Sequence, residues 1–207
     1  MEKVIGMNLE YDVSSQYVEP AVSKEKFDRE LNLFLSNKGE YIKRGIILVD
    51  AIFPSMDFIF LAQKLTPMAV VFAVRVNFNN YDVEPPSVTF IDPLSKLPIP
   101  AMKCLTHFQK RIGLDPNGQI QTQALLQFET PFSKPFLCFA GIREYHNHPF
   151  HTGDSWLLYR KRGEGTLSFI IEALYNYGIA PIESYNLQVQ VQSPIVQLGQ
   201  NPINISE

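Results

Sequence analysis

Apolar residues recur at a helical interval from Ser23 to Asn37, where Phe27, Leu31, Phe34 and Leu35 fall on one stripe. Ser23 is placed to N-cap this helix, and Gly39 to stop it. The period then changes. Gly45–Phe53, Asp57–Gln63 and Met68–Phe78 are rich in Val, Ile and Phe, and Pro54-Ser55 and Thr66-Pro67 punctuate them as turns. In the third run Val70, Phe72, Val74, Val76 and Phe78 share one parity, while Val71, Ala73, Arg75 and Asn77 share the other. One of these faces belongs to the core. Asn79 to Pro86 reads as a turn into a fourth strand, Ser87–Ile91.

The pattern is less regular from Asp92 to Pro135. It predicts a short helix around Met102–Arg111, a turn at Asp115-Pro-Asn-Gly118 and a strand over Gln123–Phe128. Phe136 to Tyr145 predicts a further strand. Thr166 to Tyr177 predicts a second strong helix, with Thr166 as N-cap, a stripe of Leu167, Ile170, Ile171 and Leu174, and Gly178 as its stop. Ser184–Val191 alternates as a half-buried strand does, and the tail after Gly199 is expected to be poorly ordered. No internal repeat is found.

At 207 residues, with 45% hydrophobic and 19% charged positions, the chain is long enough to bury one substantial core. We read residues 1–198 as a single domain with 92–135 as an insertion. A formal net charge of −3 gives no general attraction to nucleic acid or to anionic membrane, and the densest basic run, Arg160-Lys161-Arg162, reads as a solvated loop. Two cysteines, Cys104 and Cys138, are not a disulfide framework and fit a reducing compartment. The N-terminal residues lack an apolar stretch resembling a signal peptide, and no apolar run is long enough to span a bilayer. The expectation is a cytoplasmic protein.

Candidate chemistry concentrates between Cys138 and Trp156. Three of the four histidines, His146, His148 and His151, crowd together there, with Cys138 upstream and Glu144 between. Thiolate, imidazole and carboxylate are the ligand types that bind zinc. On an extended strand Cys138, Glu144, His146 and His148 share one face. Pro149 then ends the strand, and His151 folds back from the following turn. The spacing lacks paired C-x-x-C knuckles, so solvated histidines beside a small buried cysteine are the competing description. Asp154 is placed to orient one histidine. Cys104 and His107 form C-x-x-H beside Leu105 and Phe108, which reads as core, and so does Trp156 followed by Leu157-Leu158-Tyr159.

Two stretches carry a resemblance. Asn77-Phe78-Asn79-Asn80-Tyr81-Asp82-Val83-Glu84-Pro85-Pro86-Ser87-Val88-Thr89-Phe90 resembles the ubiquitin-conjugating (E2) segment in which a strand ends in a Tyr-Pro-x-x-Pro-Pro turn and restarts as x-Val-x-Phe. Asp82 stands where that pattern has its first proline. His148-Pro149-Phe150-His151-Thr152-Gly153-Asp154-Ser155-Trp156 resembles the E2 His-Pro-Asn loop that leads to the catalytic cysteine. Phe150 replaces the asparagine, and Trp156 stands where the cysteine belongs. Cys138 precedes His148-Pro149, whereas the E2 nucleophile follows that pair. No E2 thioester is therefore expected, since indole supplies no nucleophile. Ser155 is read as structural.

The E2-like order together with the Cys…Glu…His…His run resembles the metal-binding "CEHH" proteins encoded in bacterial ubiquitin-like gene clusters beside E1-, E2- and JAB-peptidase-like components. The resemblance implies an α+β, E2-like (UBC) fold: an N-terminal helix on an antiparallel four-stranded meander, then an insertion and a C-terminal helix. It also implies zinc held by residues among Cys138, Glu144, His146, His148 and His151, and partners among ubiquitin-like (Ubl), E1-like and E2-like proteins. A zinc-dependent hydrolase with Glu144 as general base is the alternative.

Overall fold

The structure, a computed structural model, describes residues 16–184 apart from His107 and Thr152. All but the first residue of the strand expected at Ser184–Val191, and the tail after Gly199, lie outside the described residues. The described chain is a mixed α+β arrangement with helices at both ends of an antiparallel sheet. Helix α1 spans Pro20–Ser36 and a short α2 spans Lys38–Lys43. Four strands follow, β1 (Ile46–Ile52), β2 (Ser55–Ala62), β3 (Ala69–Asn77) and β4 (Ser87–Ile91), paired in the sequential order of a meander.

The first helix begins earlier than its apolar period suggests. Pro20 occupies the first turn, where its missing N–H and fixed φ suit a helix start. Ser23 is therefore not the cap; it is buried inside the helix and accepts from Gln16 Nε2 at 3.1 Å. Gly39 is not the stop either, because the break falls at Asn37 and Gly39 lies within α2. The glycine that turns the chain is Gly45, at φ +80°, where an added Cβ would lie 2.3 Å from the Leu61 carbonyl oxygen.

The alternation in β2 and β3 is what builds the core. Met56, Phe58 and Phe60 point to one face with Phe72, Val74 and Val76, all buried. Phe27 of α1 meets Phe78 edge-on at 5.6 Å, and Phe34 meets Phe58 at 5.2 Å. Directly opposite one another on the other face, Asp57 and Arg75 pair through two oxygens, at 2.7 and 2.8 Å. A bulge between Phe60 and Leu61 shifts the register, so Val71 is buried while Val70 is 43% exposed. Parity alone therefore assigns these two residues to the wrong faces.

Helix α4 (Leu167–Gly178) forms as its stripe predicts, and the Thr166 hydroxyl accepts from Phe169 N–H at 3.3 Å. Its first N–H, that of Leu167, goes to the buried Glu30 carboxylate of α1 at 3.0 Å. Arg44 clamps Glu172 through two oxygens at 2.5 and 2.8 Å, fastening the end of α2 to α4.

Between β4 and α4 the expectations need three corrections. Met102–Arg111 is not a helix: a 3-10 turn at Ala101–Lys103 gives way to an extended segment and to β5 (Gln109–Leu114). Leu105 is 74% exposed while Phe108 is buried, so the two do not share a helical face. The strand expected at Gln123–Phe128 is split into β6 (Ile120–Ala124) and β7 (Leu126–Gln127), because buried Leu125 turns inward between them. The turn at Asp115–Gly118 is present and closes the β5–β6 hairpin, with Asp115 Oδ1 accepting from Asn117 and Gln119 N–H. The third correction is the strand at Phe136–Tyr145. Only β8 (Phe136–Leu137) is extended; the chain then turns at Gly141, at φ +100°, into the one-turn helix α3 (Arg143–His146).

Candidate functional site

Losing the long strand removes the shared face on which the metal reading stood. Two ties fix where the segment goes instead. Arg143 N–H donates to Pro86 O at 2.9 Å, and its guanidinium lies 3.3 Å from the Glu84 carboxylate. Glu144 then meets the start of β4: one oxygen accepts the Ser87 hydroxyl and the other accepts Val88 N–H at 3.2 Å. Burial pushes the Glu144 carboxyl above the usual glutamate range, partly offset by those hydrogen bonds. With both oxygens engaged on β4, this carboxylate is placed neither as a ligand nor as a base.

His146 is likewise fully committed. Gly141 N–H donates to its Nε2 at 3.2 Å, and its Nδ1 lies 2.7 Å from the Asp154 carbonyl oxygen. A carbonyl only accepts, so Nδ1 donates to it and both ring nitrogens are used. The role expected of Asp154 thus falls to its main chain. Its carboxylate accepts the hydroxyls of Tyr145 and Tyr159, and these two bonds hold it below the usual carboxylate range.

His148 takes Phe150 N–H on Nδ1 at 3.3 Å and stacks on Phe136 at 5.0 Å. Together with Glu144 it lines a cavity of about 440 Å³ beside β4.

Cys138 and His151 are the pair brought together. His151 closes the 3-10 turn Pro149–His151 and folds back so that its Nε2 lies 3.4 Å from Cys138 Sγ. Tyr145 stacks on its ring at 3.9 Å. Burial pushes the Cys138 thiol up, as it does the Cys104 thiol, which is raised to about 11. Both Cys138 and His151 line a second cavity of about 490 Å³, walled by Leu125, Phe139 and Phe169. Two ligands of one tetrahedral zinc stand ~3.5 Å apart, given bonds of about 2.0–2.3 Å, so this pair has a suitable separation. Among the described residues no three Cys, His, Asp or Glu side chains gather round one point. As placed, the five candidates do not fit a zinc ion.

Several features of the site were not legible beforehand. The partners of Glu144 and Asp154, a backbone N–H and three hydroxyls, lie far along the chain or on neighbouring turns, which no spacing rule marks. Glu164 also lines the Cys138 cavity, and its Oε2 is buried with no hydrogen-bond partner among the described residues. Trp156 sits in the core as its apolar neighbours suggest, and its indole N–H donates to Asp82 O at 2.9 Å. No helix among the described residues is long and apolar enough to cross a membrane.

Comparison with known proteins places the sequence among relatives. The chain is 38% identical over 187 residues to "Uncharacterized protein y4jH" of Sinorhizobium fredii (strain NBRC 101917 / NGR234), a match that covers 85% of this chain and 91% of that one. The family model for Y4jH-like proteins matches residues 18–182, from just before α1 to just past α4, and the chain belongs to the Y4jH family.

Proposed function

We propose that this chain is an E2-like component of a bacterial ubiquitin-like modification pathway, of the CEHH type. In this role it is inert at the E2 thioester position and acts as a partner of E1-like, E2-like and Ubl proteins. One observation carries this reading. The two stretches that resemble an E2, 77–90 and 148–156, meet in space: Trp156 Nε1–H donates to Asp82 O at 2.9 Å. Between them in the chain, Arg143 N–H donates to Pro86 O at 2.9 Å. The meander of β1 to β4 with α1 on one face supports the same frame. Trp156 occupies the thioester position and is 7% exposed, so that position offers neither a nucleophile nor access.

Partner binding draws support from apolar side chains left at the surface. Leu33 on α1 is 51% exposed, Phe150 in the His-Pro loop 89% and Leu157 69%. The alternative, a zinc hydrolase with Glu144 as base, requires Glu144 to leave Ser87 and Val88 and a third ligand to join Cys138 and His151. Co-purification of the tagged chain with co-expressed E1-like, E2-like and Ubl proteins, with metal analysis of the same sample, tests the proposal. A stable complex with at least one of them is expected. A chain that stays alone with all of them and hydrolyses a small substrate in a chelator-sensitive way overturns it.

A further inference from the structure

We propose that Cys138 and His151 form a thiol–imidazole acyl-transfer centre that opens into the 490 Å³ cavity and accepts a peptide-like acyl compound carrying an N–H or ammonium donor. The inference does not rest on the E2-like reading, since neither residue occupies the E2 thioester position. Three observations carry it. Sγ and Nε2 are 3.4 Å apart, within reach of direct proton transfer between a thiol and a base. Both groups line a cavity large enough for a small ligand, with Leu125, Phe139 and Phe169 as apolar walls for it to pack on. Glu164 lines the same cavity, and its buried Oε2 has no hydrogen-bond partner among the described residues; a turn of that side chain would offer the oxygen to a donor on the ligand.

The chemistry balances without a cofactor. The Cys138 thiol proton passes to His151 Nε2 as Sγ forms a C–S bond with the acyl carbon. The bond from that carbon to the leaving group breaks, and His151 returns the proton to the leaving group. In the second half a water gives its proton to His151, and its oxygen bonds to the thioester carbon. The C–S bond then breaks and Sγ regains the proton, giving a carboxylic acid and free enzyme. Tyr145 stacked on His151 at 3.9 Å, with its own hydroxyl bonded to Asp154, fixes the plane of the imidazole.

The test uses the full chain and 4-nitrophenyl acetate, followed by peptide mapping of the acetyl group. Cys104 is the internal reference, because burial raises its thiol too. Acetylation of Cys138 at least ~10-fold faster than of Cys104 is expected. His151→Gln should slow it by about 100-fold, the scale of a lost general base. If His151→Gln fails to fold, the Cys138 to Cys104 ratio in the unaltered chain decides. Equal labelling, preference for Cys104, indifference to His151→Gln, or labelling of Cys138 only after a chelator strips bound metal would each overturn the proposal. For Glu164, the probes are the 4-nitrophenyl esters of hexanoate and 6-aminohexanoate. The aminohexanoate should react several-fold faster, and Glu164→Gln should erase that preference; no preference in the unaltered chain refutes the assigned ligand class.

Discussion

The Ser87 hydroxyl donates to the Glu144 carboxylate across 57 positions of chain, and this bond decides what the histidine-rich segment is able to do. It draws α3 against the first residues of β4, with Val88 N–H as the second donor. Glu144 is thereby spent on holding the segment in place.

A pH dependence follows from that contact. Burial holds the Glu144 carboxyl above its ordinary value of 4.5, so the folded chain keeps a proton that the unfolded chain has already lost. Stability contributed by this group is complete below 4.5 and is lost as pH rises through the raised folded value. Glu144→Gln removes the titration while keeping one acceptor. Urea unfolding from pH 4 to 7 should show the variant gaining on the parent as pH rises. Parallel profiles would contradict the assignment.

Glu30 links the two long helices. It is 2% exposed and accepts Leu167 N–H at the start of α4 and the Arg29 guanidinium, both at 3.0 Å. Glu30→Ala strands a buried N–H and should cost about 1–3 kcal/mol in urea unfolding. Glu30→Gln keeps an acceptor but gives up a negative charge at a helix N-terminus, worth about 0.3–1 kcal/mol. A Glu30→Ala loss no greater than that of Glu30→Gln would sink the argument.

Gly165 is held at φ +77°, where an added Cβ would lie 2.5 Å from the Trp156 ring. Gly165→Ala carries both a left-handed backbone cost of roughly 1–2 kcal/mol and a clash with the indole. Gly163, at φ +98° with nothing within 4 Å of its Cβ position, carries the backbone cost alone. Thermal melts should rank Gly165→Ala below Gly163→Ala, with the tryptophan emission altered only in the former. Equal melting points would show that Trp156 is not packed there.

The sheet and the last helix are written in local patterns. Eight or nine residues of alternation define β2 and β3, and Thr166 with its apolar stripe defines α4. The metal reading leaned on parity, which holds only where the backbone is extended. Pro86, Ser87 and Val88 bend the 138–148 segment by bonds to Arg143 and Glu144, and no window of sequence contains both partners. The turn that carries His151 was legible from Pro149, although the proline opens a 3-10 turn after α3 and does not end a strand. What it meets there, a single thiol and not a four-ligand set, depends on where Cys138 is pinned by its N–H to Leu125 O at 2.6 Å.

The central claim is the proposal that this chain is an E2-like component that works through its surface with proteins of a Ubl pathway. Isothermal titration of the purified chain against the proposed E1-like, E2-like and Ubl partners tests it most directly, with Leu33→Glu and Phe150→Glu alongside. The account predicts a dissociation constant of about micromolar or tighter, equivalent to ~8 kcal/mol, for at least one partner. It also predicts at least ~10-fold weakening by one of the two surface substitutions, with the melting temperature unchanged. No measurable heat with any of the three, or binding indifferent to both substitutions, would contradict it.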